Sequence, residues 1–322
     1  MPEDQIAYVG SNVDPGPGIC TRTFPCSGVF QGLLGLNGRL HMVLLPGVYN
    51  SRYSVNTPGL FIHGTGAILV QGAQIPGFIL QIDKPAIIRG VTFSGSLGAS
   101  LGVYGRDIVL DSITLDGHES FLQVSRGGSS PAASVTVRNL VMKNSGEYPA
   151  IRVDSVSELI LDGATITGGA VGIQAEPGAK VQLKNLLITG TRRHALDLAG
   201  ATGEIEFATI ADAGAMTPAP PCAVTCNPNL RITSSIIWQQ TCSGVPGDAA
   251  GACTFRSSIV SNAPVPGITN VDPQFVDPLA GDYHLKPTSP AKDAVDVGPV
   301  TDFEGDPRPR GPRFDLGADE AP

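Results

Sequence analysis

A six-residue pattern recurs through the middle of the chain and restricts what it can fold into: GVTFSG at Gly90, SITLDG at Ser112, NLVMKN at Asn139, GATITG at Gly163, NLLITG at Asn185 and FATIAD at Phe207. The second residues are Val91, Ile113, Leu140, Ala164, Leu186 and Ala208, at spacings of 22, 27, 24, 22 and 22. SSIIWQQ and SSIVSN extend the series by 28 and 23 residues when Ile236 and Ile259 take the same role. A period in the twenties with one strand pattern per copy predicts a solenoid. Leucine-rich repeats have a similar period, but they would show LxxLxLxxN and a helix in each copy. Neither occurs, which leaves a β-helix.

Each period holds a second apolar alternation: LQID from Leu80, LGVY from Leu101, LQVS from Leu122, IRVD from Ile151, VGIQ from Val171 and LDLA from Leu196. Alternation turns the first and third residues inward and the second and fourth outward. Two outward columns are expected, one of Gln81, Gly102, Gln123, Arg152, Gly172 and Asp197, the other of Asp83, Tyr104, Ser125, Asp154, Gln174 and Ala199. Neighbours within a column lie one strand spacing apart, about 4.8 Å.

Solenoid ends need covering, because a bare terminal coil offers unpaired backbone groups. GVFQGLLGLNG, from Gly28, has apolar residues at helical spacing and predicts a short N-terminal helical cap. HMVLLPGVYN, from His41, reads as a strand stopped by Pro46 and Gly47. From Asn270 the repeat gives way to a Pro- and Asp-rich tail, expected along the outside or over the last coil. The predicted class is therefore all-β, a right-handed parallel β-helix with an irregular acidic tail. Its expected organisation is one domain, with the helix and its cap over 1–270 and the tail over 271–322.

Composition agrees: 40 glycines and 27 prolines punctuate a chain that is still 42% hydrophobic, so it turns often without being disordered. The net charge of -8 is concentrated in the tail, where eleven acidic and five basic residues follow Asn270. No basic face remains for nucleic acid, and no apolar run approaches the ~18 residues of a membrane span. MPEDQIAYVG lacks the basic and apolar regions of a signal peptide, so Met1 is expected to open a chain trimmed of its leader. The six cysteines fall into near pairs, Cys20 with Cys26, Cys222 with Cys226 and Cys242 with Cys253, one of 15 possible connectivities. Local disulfides imply an oxidising compartment. A zinc site competes, but CxxxC and CxxxxxC without a nearby His fit it poorly.

Three stretches resemble the secreted bacterial right-handed β-helix proteins of the pectate-lyase-like superfamily. These are the opening AYVGSNVDPGPGICTRTFPC with VLLPGVY, the repeats, and the closing DPQFVDPLAGDYHLKPTSPAKDA (Asp272 to Ala294) with DFEGDPRPRGPRFDLGADE (Asp302 to Glu320). The resemblance implies the β-helix fold, a secreted or cell-surface location and a polysaccharide or cell-surface glycan as partner. Activity is left open, because the superfamily contains lyases, hydrolases, epimerases and members without assigned chemistry.

In that superfamily one outward sheet face forms the sugar groove. Arg152, Asp154, Gln174, Glu176, Arg193, His194 and Asp197 converge on the coils between Ala150 and Gly200. Gly172 is expected to leave a flat gap between Arg152 and Asp197, two coils or roughly 9.6 Å apart. A glycoside hydrolase would pair Asp154 with Glu176 or Asp197, at about 5 to 5.5 Å for retention or 6.5 to 9.5 Å for inversion, with the acid's pKa raised by desolvation. A polysaccharide lyase would use Arg193, Arg152 or His194 as base, with a metal or a cationic side chain neutralising the uronate. Tyr104, Gln123 and Gln174 are the substrate-binding candidates, Tyr104 as a stacking platform. Trp238 is a second possible platform, though its strand suggests partial burial.

The opposing reading makes these charges a solvated face of surface pairs worth under ~1 kcal/mol each. Two motifs are missing: the consecutive Asp pair with a downstream Arg-x-Lys of polygalacturonases, and the calcium-binding Asp trio of pectate lyases. No resident cofactor or metal site is expected, with calcium the one ion considered, at Asp302, Asp306, Asp315, Asp319 and Glu320. The bland account of those carboxylates is an acidic tail whose course Arg308 and Arg310 fix. DGHES, with Asp116, His118 and Glu119, reads either as a metal or acid/base cluster or as an ordinary turn. Asn139 and Asn185 share a register and are expected to form an internal side-chain ladder. The two functions in competition are a polysaccharide-binding, possibly cleaving, protein and a non-catalytic surface or matrix module.

Overall fold

The computed structural model describes residues 2–11, 19–50, 52–71, 78–95, 101–117, 121–127, 132–144, 146–213, 223–225, 227–238, 249–250, 253–261 and 268–322. The chain is all-β, a right-handed parallel β-helix whose only α-helix among the described residues is Gly28–Leu34. It divides into two compact units, Met1–Gly146 and Glu147–Pro322, described in turn.

In the first unit the long strands Leu60–Val70 and Ala86–Ser94 stack in parallel, followed by the split pair Ile108–Asp111 and Thr114–Gly117 and by Ser134–Asn144. Alternation sends apolar side chains inward from these strands: Ile62, Ile88, Leu110 and Val137 form one column, and Leu69, Phe93, Leu115 and Met142 another. Each such side chain contributes about 1.5 to 3 kcal/mol when removed from water. Short strands of the second sheet, Leu80–Ile82, Leu101–Val103 and Leu122–Val124, close the other side with Leu80, Leu101 and Leu122 in register.

The expected cap forms. The helix buries Val29 and Gly32 and leaves Phe30 and Leu34 exposed. A β-carbon at Gly32 would come within 2.4 Å of Val9 Cγ2, so this glycine lets the helix lie directly on the first strand, Ile6–Gly10. Cys20 and Cys26 are joined in a disulfide beside it. Cys253 is also disulfide-bonded, while Cys222, Cys226 and Cys242 lie outside the described residues. The apolar stretch from His41 does more than stop at Pro46: it bends there and resumes as Gly47–Asn50.

The second unit repeats the scheme. Leu161, Leu183, Ile205 and Ile232 make one inward column, and Ile166, Ile188, Ile210 and Ile237 the other. Its second sheet is the parallel series Pro149–Val153, Val171–Ala175, Leu196–Asp197 and Val224–Thr225.

The first letter of the repeated motif has a specific task. Gly90, Ser112, Asn139, Gly163, Asn185 and Phe207 all have positive φ, between 51° and 77°. The left-handed residue bends each long strand, so inward positions step by two, then three, then two, as in Leu159, Leu161, Ala164 and Ile166. Gly and Asn tolerate that conformation; other residues pay roughly 1 to 2 kcal/mol. The same criterion corrects the reading of the last two copies. Ser234 and Ser257 hold the positive φ, so Ile236 pairs with Thr209, not Ala208. Ser235 takes the place beside Ala208, its Oγ accepting from Ala208 N at 3.1 Å and donating to Thr233 O at 2.7 Å. Asn139 and Asn185 form no internal ladder. Each donates from Nδ2 to an aspartate on the preceding coil, Asp111 Oδ1 at 3.4 Å and Asp162 Oδ1 at 2.9 Å.

The acidic tail lies along the outside of the repeats. An antiparallel pair, Phe275–Asp277 with Asp282–Leu285, begins it. Phe275, Tyr283, Leu285, Leu316 and Ala318 then share one core with Leu187, Ala211, Ile236 and Ile259. Thr209 and Ala211 point away from the coil interior, yet each is only 2% exposed because the tail covers them. Ala318 N donates to Thr209 Oγ1 at 2.9 Å, and Gly317 N to Ser234 O at 2.8 Å.

Candidate functional site

The outward face of the second unit's short strands gathers five of the expected residues, in a register that differs from the pattern reading by two. Ile151 pairs with Ile173, which places Arg152 beside Gln174 and Gln174 beside Asp197. Gly172 is not in the column. It is buried, and a β-carbon there would meet Ala195 O at 2.5 Å and Ile188 Cγ2 at 2.9 Å. The flat gap is therefore absent, and Gln174 occupies that rung. Because side chains alternate with period two, a two-residue shift keeps Gln174 on its expected outward face and moves only its rung.

The resulting columns are Arg152, Gln174, Asp197 and Thr225, with Asp154 and Glu176 alongside at the following outward positions. Arg152 Nη2 donates to Glu176 Oε1 at 2.5 Å, and its Nε stands 3.5 Å from Asp154 Oδ1. One guanidinium thus bridges carboxylates from two coils. Gln174 Nε2 donates to Asp197 Oδ2 at 3.1 Å, and Thr225 Oγ1 donates to Asp197 Oδ1 at 2.7 Å. Thr225 extends the strip by a coil; it escaped the sequence reading because its strand, Val224–Thr225, is only two residues long.

The hydrogen bond from Arg152 holds the Glu176 carboxyl below the ordinary glutamate range, and the guanidinium charge adds to this against slight burial. That is opposite to the raised pKa expected of a glycosidase acid. Arg152 is correspondingly held in its protonated form by Glu176 and Asp154. The strip is a set of ionised and amide groups at the surface: the Arg152 side chain is 45% exposed and Glu176 34%.

Arg193 and His194 lie at the other end of this face, in the turn before Leu196–Asp197. Arg193 is exposed, its backbone N bonded to Ala170 O, and His194 O accepts from Gly172 N. They frame the start of the strand and do not join the Arg152 bridge.

In the first unit, Gln123 faces outward on Leu122–Val124 as expected. Tyr104 meets Phe78 edge-on with centroids 5.6 Å apart, and Phe78 meets Phe121 at 6.1 Å. A β-carbon at Gly102 would lie 2.8 Å from Tyr104 Cε2 and 2.9 Å from Phe78 Cγ, so the two rings close over this glycine. Tyr104 is one wall of an aromatic cluster, not a lone platform. Phe78 and Phe121 precede their strands and gave no alternation signal.

The tail carboxylates hold backbone groups. Asp302 Oδ1 accepts from Glu304 N and Asp306 N, Asp315 from Asp293 N and Ala321 N, and Asp319 from Leu285 N. Glu320 accepts from Arg308 Nε, Arg310 N and Asp315 N. Among the described residues no three His, Cys, Asp or Glu side chains gather to hold a metal ion. Of the DGHES cluster, His118 and Glu119 lie outside the described residues. No helix among the described residues is long and apolar enough to cross a membrane.

No family model matches the sequence, and no curated protein matches it either. Among solved structures the chain is similar to that of pectate lyase Pel9A, with a TM-score of 0.56 and 14% sequence identity over 98% of this chain and 96% of that one. At that identity the likeness concerns the fold.

Proposed function

We propose that the chain is a secreted protein that binds a polysaccharide across the outward strip of Arg152, Asp154, Gln174, Glu176 and Asp197. The supporting observation is the strip itself: three successive coils present a cation, an amide and a carboxylate in one column, with two more carboxylates alongside. Rungs about 4.8 Å apart offer a chain of sugar rings a repeating set of donors and acceptors. The likeness to a pectate lyase fold favours a glycan over other polymers, and the disulfides suit an extracellular setting.

Binding is the activity this geometry favours. The depressed pKa of Glu176 suits an acceptor that stays ionised, and Arg152 engaged by two carboxylates suits ligand positioning. Cleavage, as lyase or hydrolase, would rest on Asp154, Asp197, Arg193 and His194.

The test is affinity electrophoresis of the protein through gels containing a panel of soluble neutral and acidic polysaccharides, with reducing-end release and unsaturated-uronate absorbance followed in parallel. At least one glycan retards the wild-type chain, and Arg152→Ala and Asp197→Ala each weaken that retardation about tenfold, the loss expected for a hydrogen bond to a charged group. Free migration in every glycan, or retardation indifferent to both substitutions, would falsify the proposal.

A further inference from the structure

Within the second unit, a cleft of about 510 Å³ lies between the strand ends at Ala211 and Trp238 and the antiparallel pair that opens the tail. Ala211 and Trp238 are register partners, so the indole stands at the margin of the long-strand sheet, where the tail begins to cover it. The polar lining comes from Asp212, Asp272, Gln274 and Lys286, and Tyr283 lines it as well. Tyr283 OH donates to Asp212 Oδ2, and Gln274 N donates to Asp272 Oδ1. One oxygen of each carboxylate is thereby oriented and the other left for further bonds.

Two groups in this cleft lack polar partners, although Trp238 packs in part against the neighbouring core. Among the described residues the Trp238 indole makes no hydrogen bond or ring contact, and the Lys286 ammonium makes no hydrogen bond or ion pair. A packing void would be apolar and dry, whereas this cavity joins an aromatic face to a donor, an amide and two carboxylates. Its volume is that of a small-molecule pocket.

We propose that this cleft binds one or two units of a neutral saccharide. The apolar face of a pyranose ring lies on the indole, Asp212 and Asp272 accept from ring hydroxyls, and Lys286 donates to them. Charge selects the neutral class. Two carboxylates against one ammonium leave the lining formally negative, so a sugar carrying its own carboxylate or sulfate meets repulsion. The site shares no residue with the Arg152 strip and stands or falls independently of it.

Trp238 is the only tryptophan in the chain, so its emission reports this cleft alone. The experiment titrates the full-length protein with gluco-, galacto- and manno-configured neutral trisaccharides and with a galacturonate trisaccharide. At least one neutral trisaccharide produces a saturable change in emission, and the galacturonate produces none. Lys286→Ala and Asp272→Ala, both at exposed positions and checked for native circular dichroism, each weaken the midpoint about tenfold. The proposal is overturned if no neutral trisaccharide gives a saturable change, if both variants leave the midpoint where it was, or if the galacturonate binds more tightly.

Discussion

Arg152 and Arg308 sit in the same unit, each beside a glutamate, and do opposite work. The Arg152 side chain is 45% exposed and reaches Glu176 and Asp154 across the surface of two coils. Arg308 and Glu320 have side chains with 0% exposure. The buried guanidinium donates through Nε to Glu320 Oε2 at 2.7 Å, and it also bonds the carbonyls of Asp315, Gly317 and Asp319 while lying 4.9 Å from the centre of the Phe207 ring. Water competes for the first pair and a ligand can replace it. The second pair holds the tail's own backbone and has no exchange partner, so the same residue pairing is open to solvent in one place and sealed into the architecture in the other.

The sharpest test removes the buried cation. In Arg308→Ala, Glu320 remains as an uncompensated buried charge and three carbonyls lose their donor, a change worth about 3 to 5 kcal/mol. Denaturant unfolding should show that loss, with the tail detaching from Thr209 and Ser234 before the coils unfold. A loss below about 1 kcal/mol would erase the distinction between the two arginines.

The next effect is one of pH. Burial pushes the Asp319 carboxyl up to about 6 from 3.8, assisted by Asp302 and Asp315 and opposed by the bond from Leu285 N and by His284. The folded chain therefore holds this proton more tightly than the unfolded one. Its stabilising contribution is complete below about pH 3.8 and is lost as pH rises through about 6, by roughly 2 to 3 kcal/mol. Asp319→Asn keeps an acceptor for Leu285 N and removes the titration. The stability of the variant relative to wild type should rise between pH 4 and pH 7, measured by urea unfolding at each pH. A difference that stays constant would show that the tail carboxylates titrate as freely as surface groups. Glu176 has the opposite sign: its depressed pKa contributes stability above the unfolded value, lost as pH falls.

How far each region was legible follows from where its partners sit. The coils were readable because every strand carries its own alternation and its left-handed residue leaves Gly90, Asn139, Gly163 or Asn185 as a visible mark. Where two serines stand together, at Ser234 and Ser235, that mark is ambiguous by one, and the pattern chose the wrong member. The Arg152 strip was readable in part of its membership but not in rung, since Val171 and Ile173 are equally apolar and the close approach of Gly172 to Ala195 O is visible only in the folded chain. The tail was least legible. Its acidity suggested solvent or calcium, but Asp319 meets Leu285 N from 34 residues away and Asp315 meets Asp293 N from 22, contacts that no local spacing announces. The Trp238 cleft was hidden for the same reason, because six of its nine lining residues arrive with the tail.

The smallest effect is the one that separates recognition from architecture. Arg152→Ala removes an exposed bridge, and pairs of this kind contribute less than about 1 kcal/mol. A double-mutant cycle with Glu176→Ala should return a coupling of about 0.2 to 1 kcal/mol that shrinks as salt is added, since water and ions already share those charges. A coupling above about 2 kcal/mol, unmoved by salt, would make Arg152 a structural residue like Arg308. The strip would then hold neighbouring coils together, and its charges would not be free for exchange with a glycan.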